Sequence, residues 1–147
     1  MSADQLFLLC NYAVLPAWML LVLLPHHRIT QTLVHAVWVP LLLGPFYVWA
    51  LFFGEPAAPG AGFGSLQGVM LLFQSPTAVL GGWIHYLVFD LFIGAWIVRD
   101  AKRHSINHWL TVPLLIATLM AGPAGLMLYL MLRVGLKRSV TLIETRR

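Results

Sequence analysis

The chain has 147 residues, of which 60% are hydrophobic and only 10% are charged. Charged residues make up about 25% of a soluble domain, so this composition excludes an ordinary soluble protein and indicates an integral membrane protein. The excess of Lys and Arg over Asp and Glu would favour nucleic acid in a soluble chain, but here the basic residues flank apolar segments, where they anchor at headgroups and set topology. The composition therefore predicts a lipid bilayer as partner and no nucleic acid.

Four apolar segments have the length of a membrane span, about 20 residues. They predict an all-α fold, namely a multi-pass four-helix bundle that forms a single transmembrane domain over residues 1–147. A fifth apolar stretch, Leu66–Phe73, is too short to cross and predicts an interfacial or re-entrant helix. The predicted spans are 6–24, 33–53, 79–98 and 109–132.

Prolines interrupt three of the four segments. Pro16 and Pro40 predict bends in the first and second segments, because proline removes a helical hydrogen bond. In the fourth, the run from Gly122 to Gly125 contains Pro123 and favours a break. The start of the chain has no basic region and no small-residue cleavage pattern, so we expect the first helix to be retained.

Under this four-span scheme, the two sides of the membrane carry nearly equal numbers of basic residues, which leaves the orientation open. Four crossings place the N-terminus, the 54–64 loop and the C-terminal tail on one side, with five Lys and Arg against four on the other side. The acid Asp4 before the first helix and Arg28 after it favour an outside N-terminus, and the basic tail opposes it.

Two ionisable residues, His85 and Asp90, lie inside the third segment. Asp90 falls near its midpoint, where a charged group costs roughly 2.5 to 3.5 kcal/mol. Tyr86 and Gly94 lie one turn before and after Asp90 on the same stripe, whereas His85 is about 140° away around the helix and should face a different neighbour. Asp90 is either a hydrogen-bonded acid that pins helices together or a desolvated acid that donates a proton.

Metal and haem sites are the weaker alternatives. Asp100, His104 and His108 are spaced four residues apart, a helical spacing that metal sites use. A solvated, headgroup-facing charge cluster is the more common result of such a run. Haem between His35 and His85 is a further alternative, but a lone His on an apolar face is more often a packing residue. The sequence therefore predicts no metal and no cofactor.

Several motifs together resemble those of the ABA4-like family of small four-span membrane proteins. The resemblance is ordered along most of the chain. We expect Asn11, Trp18 and Trp83, which lie in these motifs, to contribute to substrate binding, together with Tyr86 and Gly94 from the Asp90 stripe, which offer a hydroxyl and space for a flat ligand. The motifs are His85-x4-Asp90-Leu91-Phe92 with Trp83 before it and Asp100 after it, Asn11-x3-Leu15-Pro16-x-Trp18, and Gly122-Pro123-x-Gly125.

The resemblance also implies a substrate class. The plant members of this family are plastid proteins required to form neoxanthin from violaxanthin, an isomerisation that opens an epoxide and makes an allene without net oxidation. It implies a hydrophobic carotenoid or related isoprenoid ligand. Since the chain starts without a transit-peptide pattern, we expect a bacterial inner membrane protein.

Two hypotheses for the function follow. In the first, the protein is an isomerase in which Asp90 and His85 are catalytic, since epoxide opening needs an acid at the oxygen and a base for the leaving proton. In the second, it is a non-enzymatic carotenoid- or quinone-binding or assembly subunit, whose partner is a second copy of the chain or an enzyme.

Overall fold

The computed structural model describes residues 2–142. Within this range there are seven α-helices and no β-strand, which confirms the all-α prediction. The chain divides within its longest helix into two compact units, Met1–Phe92 and Ile93–Arg147. The helices are α1 (Ala3–Leu23), α2 (Arg28–Leu33), α3 (Trp38–Phe52), α4 (Leu66–Leu72), α5 (Pro76–Arg103), α6 (His108–Met120) and α7 (Gly122–Lys137).

Three helical segments are long and apolar enough to cross a bilayer. They are Ala3–Leu23, Arg28–Phe52 and Pro76–Arg103, the second of which combines α2 and α3. Helix α6 is apolar but has 13 residues, which at 1.5 Å per residue makes it about 20 Å long. A hydrocarbon core is about 30 Å thick, so α6 alone is too short to cross it upright.

Local sequence signals explain where the first helices begin and end. Ser2 caps α1 through a capping box with Gln5, which satisfies free backbone N–H groups at the helix start. Pro16 lies inside α1, which continues past it. The short helix expected over Leu66–Phe73 is present as α4, and the Ser65 hydroxyl caps it by accepting from Gly68 N–H.

The second apolar segment differs from the single helix expected over 33–53. Its helical structure begins at Arg28 and is interrupted at residues 34–37. Pro40 then occupies the first turn of α3, where its missing N–H needs no partner within the helix. The proline expected to bend a helix therefore lies just after a break, at the start of the next helix.

Helices α3 and α5 run antiparallel in the first unit. Near the end of α3, Glu55 N–H donates to Thr77 Oγ1 over 2.9 Å, at the start of α5. Two turns further along α5, the ring of His85 lies 6.0 Å from that of Tyr47, in the middle of α3. A contact later in α5 is therefore made to a residue earlier in α3, as expected for antiparallel helices.

The segment expected as a fourth span, 109–132, is two helices in the second unit. The expected break is confirmed: α6 ends at Met120 and α7 starts with Pro123 in its first turn. The chain also reverses there. A single rod would place Arg133 about 37 Å from His108, yet the Arg133 guanidinium lies 3.1 Å from Asp100 Oδ2, just before α6 begins. Helices α6 and α7 therefore form a hairpin.

Gly125 allows the two arms of this hairpin to pack closely. A Cβ added at Gly125 would lie 2.2 Å from the backbone nitrogen of Thr118, far closer than two non-bonded atoms can approach. Glycine is therefore required where α7 leaves the turn. The small-residue run that predicted a break also supplies the space for the reversal.

Candidate functional site

Asp90 is buried in the middle of α5, with 8% of its surface exposed. This confirms the predicted burial. The Tyr86 hydroxyl, one turn earlier, is a hydrogen-bond partner of the Asp90 carboxyl, and Gly94, one turn later, is also buried. A phenol beside the carboxyl satisfies part of the polarity that would otherwise be costly in an apolar helix.

A small aromatic and amide cluster lies next to Tyr86. The Trp83 ring is 5.1 Å from the Tyr86 ring and 5.4 Å from that of Phe7, and its Nε1–H donates to Asn11 Oδ1 over 3.1 Å. Asn11 also donates to the Phe7 carbonyl. The structure thus joins three of the predicted binding residues, Asn11, Trp83 and Tyr86.

Trp18 lies further along α1 and is almost fully buried. Its indole Nε1 has no hydrogen-bond partner among the residues that the structure describes. Its position in the first span was expected to contribute to ligand binding, and a buried indole without a partner is a potential donor to a polar ligand atom.

His85 does not share the surroundings of Asp90. Its imidazole is exposed, stacks on Phe89 at 4.4 Å and lies beside Tyr47. The two residues are five positions apart, which corresponds to about 7.5 Å along the helix axis. The prediction that they face different neighbours agrees with these contacts, so the structure does not bring the two candidate catalytic groups together.

His85 instead lines a cavity of about 560 Å³ in the first unit. Helices α3, α4 and α5 and the loop after α3 form its walls. This volume is within the range of small-molecule sites, about 300–1,000 Å³. Most of the lining is apolar or aromatic, and its polar residues include Tyr47, Glu55, Thr77 and His85.

Asp100 lies in a different environment from the one expected for it. It is 2% exposed, so the expected solvated cluster is wrong for this residue. Tyr129 donates to its Oδ2 over 2.5 Å, and Arg133 donates to both carboxylate oxygens over 3.1 and 3.2 Å. Arg103 adds a bond of 3.1 Å, and His104 lies 3.7 Å away.

Arg133 completes this cluster, and it was not among the candidate site residues predicted from the sequence. It is 1% exposed and also donates to the Thr141 carbonyl over 3.0 Å. Tyr129 and Arg133 are one turn apart on α7 and so form one polar stripe. That stripe was the available sequence signal, but it does not reveal which acid faces it. Within residues 2–142, no group of three or more metal-ligating His, Cys, Asp or Glu residues is present.

The sequence also matches a known family. Residues 5–129 match the family described as ABA4-like, or ABA DEFICIENT 4-like. The chain belongs to the ABA4-like family. It is 30% identical over 112 residues to Protein ABA DEFICIENT 4, chloroplastic, from Arabidopsis thaliana, a match that covers 71% of this chain and 51% of the relative. The chain therefore spans about half the length of that relative, and no solved structure matches it.

The ABA4-like match includes all the predicted site residues, which lie between Asn11 and Gly94. It also includes Asp100 and Tyr129 and ends just before Arg133. The family assignment and the clusters around Asp90 and Asp100 therefore concern the same part of the chain.

Proposed function

We propose that this ABA4-like protein is an integral membrane protein that acts on a carotenoid or related isoprenoid, with Asp90 as the proton-transfer group of an isomerase-type reaction. The observation that carries the proposal is a buried carboxyl in the middle of the apolar helix α5, joined to the Tyr86 phenol. An ionisable residue at such a position is a functional candidate by default. The family match supports the substrate class.

The chemistry is an epoxide opening with balanced protons. The Asp90 carboxyl gives its proton to the epoxide oxygen as a C–O bond breaks. A base then removes a proton from the neighbouring carbon chain, so that an alcohol and a new double bond form without net oxidation. Proton transfer of this kind is general acid–base catalysis. Because His85 and Asp90 lie on different faces, we assign only the acid step to Asp90 with its Tyr86 partner.

A second candidate function is a non-enzymatic carotenoid- or quinone-binding or assembly subunit. One observation favours it: the 560 Å³ cavity is lined by His85 and not by Asp90. In this case the polar residues orient a ligand and no bond is broken. A bacterial inner membrane location remains a prediction under both functions, as does assembly with a second copy or an enzyme partner.

Expression in a host that makes epoxy and cyclic carotenoids separates the two functions. Pigments are extracted and compared by chromatography for wild type, Asp90→Asn and His85→Ala. The isomerase function predicts a new isomer with wild type that disappears with Asp90→Asn while the folded protein remains in the membrane. Unchanged pigments with wild type across several such hosts would favour the binding subunit.

A further inference from the structure

The cavity beside His85 has polar groups at both ends. Along α5 it extends from Thr77 to His85, eight residues that span about 12 Å. Thr77 meets the loop after α3 at one end, and His85 meets Tyr47 at the other. Among the described residues, neither the His85 imidazole nor the Tyr47 hydroxyl has a hydrogen-bond partner.

Unpaired polar groups in an apolar segment point to a ligand with a matching polar atom. His85 and Tyr47 belong to segments that are apolar enough to span a membrane, where a polar group needs a partner. The walls between them and Thr77 are largely apolar: a Cβ added at Gly81 would contact Ala50, and one added at Gly82 would lie 3.1 Å from the Phe73 ring.

The geometry points to a binding site for the oxygenated terminal ring of an isoprenoid, with a ring hydroxyl hydrogen-bonded to His85 and Tyr47. The inference rests on the proposed function for the ligand class, and it deepens that function by naming which end of the ligand is recognised and where. It requires no proton transfer, so it is independent of Asp90.

Two pigments test this site on the purified full-length protein in detergent. Zeaxanthin carries a hydroxyl on each terminal ring, and β-carotene has the same carbon skeleton without oxygen. We expect zeaxanthin to bind about three- to tenfold more tightly, the ratio that corresponds to one hydrogen bond. His85→Leu should remove this preference, and Gly82→Leu should weaken binding of both pigments by filling the cavity.

A glycine outside the cavity supplies the matched control. Gly135 on α7 has open space around it, so Gly135→Leu should leave both affinities unchanged. Equal binding of the two pigments by wild type, or an unchanged preference in His85→Leu, would overturn the ring site alone. If wild type bound neither pigment, both the ring site and the proposed function would be wrong.

A second, independent inference concerns membrane topology. Arg133, near the end of α7, is bonded to Asp100, near the end of α5. The α6–α7 hairpin therefore returns to the membrane side from which it started, whether or not its turn reaches the opposite surface. Only Ala3–Leu23, Arg28–Phe52 and Pro76–Arg103 then count as single crossings of the described chain.

With three crossings, the Lys and Arg residues are assigned to the two sides of the membrane differently than with four. The nine Lys and Arg include Arg146 and Arg147, which lie outside the described residues. Every other one falls at the start of α2, near the end of α5, or near the end of α7. The opposite side holds only acids among its charged residues in the described range, namely Asp4 and Glu55. The seven basic residues are Arg28, Arg99, Lys102, Arg103, Arg133, Lys137 and Arg138.

We infer that the start of the chain and the 54–65 loop lie outside, and that the connection after α1, the 104–107 connection and the end of α7 lie in the cytoplasm. Basic residues are retained on the cytoplasmic side and attract the anionic headgroups of that leaflet. The near tie found with four crossings thus becomes a complete separation of charge.

Cysteine labelling with a membrane-impermeant maleimide tests this topology in whole bacterial cells. Cys10 is replaced by Ala, and single cysteines are placed at Gln31, Gly64 and Val140, which are all exposed. We expect Gly64→Cys to be labelled in intact cells, and Gln31→Cys and Val140→Cys only after permeabilisation. Labelling of both Gly64→Cys and Val140→Cys in intact cells would restore four crossings, and the reverse pattern would overturn the orientation.

Discussion

Helix α5 carries two buried carboxylates, and their surroundings differ. Asp100 is hydrogen-bonded to Tyr129 and Arg133. Both partners lie on α7, 29 and 33 residues further along the chain. The Tyr86 hydroxyl that bonds Asp90 comes from the same helix, four residues earlier. Asp100 thus joins two helices, whereas the hydrogen bond between Tyr86 and Asp90 lies within one helix.

The difference indicates different roles for the two acids. A buried carboxylate paired with a guanidinium must stay ionised, because its partner cannot lose its charge. A phenol is neutral and can bond a carboxyl in either protonation state, which a proton-transfer group requires. We therefore expect Asp100 to determine stability and Asp90 to determine activity.

The largest effect should come from removing the cation of the Asp100 cluster. Arg133→Ala leaves a buried carboxylate without its main counter-ion, and we expect a loss of about 3–5 kcal/mol in the free energy of unfolding. Thermal and denaturant unfolding of the purified protein measure it. Arg103→Ala, which removes a partly exposed partner of the same carboxylate, should cost about 1 kcal/mol or less. Equal losses in both variants would contradict the structural role of Arg133.

A second substitution breaks the cluster without touching a charge. Gly125→Ala places a methyl group against the Thr118 backbone and should force the hairpin open, at a cost of about 3 kcal/mol, the upper part of the range for overpacking. The matched variant Gly135→Ala has open space around it and should not destabilise the protein. A Gly125→Ala protein as stable as wild type would mean that the hairpin is not packed as described.

The two tyrosines provide a direct comparison of the carboxylates. Tyr129→Phe removes a hydrogen bond to an ionised group and should cost about 1.5–3 kcal/mol. Tyr86→Phe should cost about 0.6 kcal/mol, the average for hydrogen bonds within membranes. The same unfolding measurements, made on both variants in one detergent, test this order. The reverse order would show that Asp90 is the structural acid.

The smallest effect on stability should accompany the largest effect on activity. Asp90→Asn still accepts a hydrogen bond from Tyr86, so we expect a change below about 1 kcal/mol and complete loss of pigment conversion. Asp100→Asn is the matched control, since it makes the same chemical change but leaves the buried Arg133 cation without a carboxylate. Retained conversion by a folded Asp90→Asn protein would assign Asp90 to helix packing.

The sequence determined the features that depend on neighbouring residues. Apolar runs of sufficient length predicted helices, Leu66–Phe73 was too short to cross, and Pro123 marked a break, because hydropathy, chain length and the missing proline N–H act locally. The same reasoning predicted that Asp90 is buried with Tyr86 and Gly94 and that His85 faces a different neighbour, since helix periodicity fixes both relations.

Only the tertiary structure decided what depends on residues far apart in the chain. Periodicity does not reveal that the break at Ala121 reverses the chain, because the reversal depends on the contact between Thr118 and Gly125 and on the bond between Asp100 and Arg133. It also does not show that a cavity forms beside His85 while Asp90 stays apart from it. These arrangements are set by long-range packing and charge pairing, whose partners no local pattern specifies.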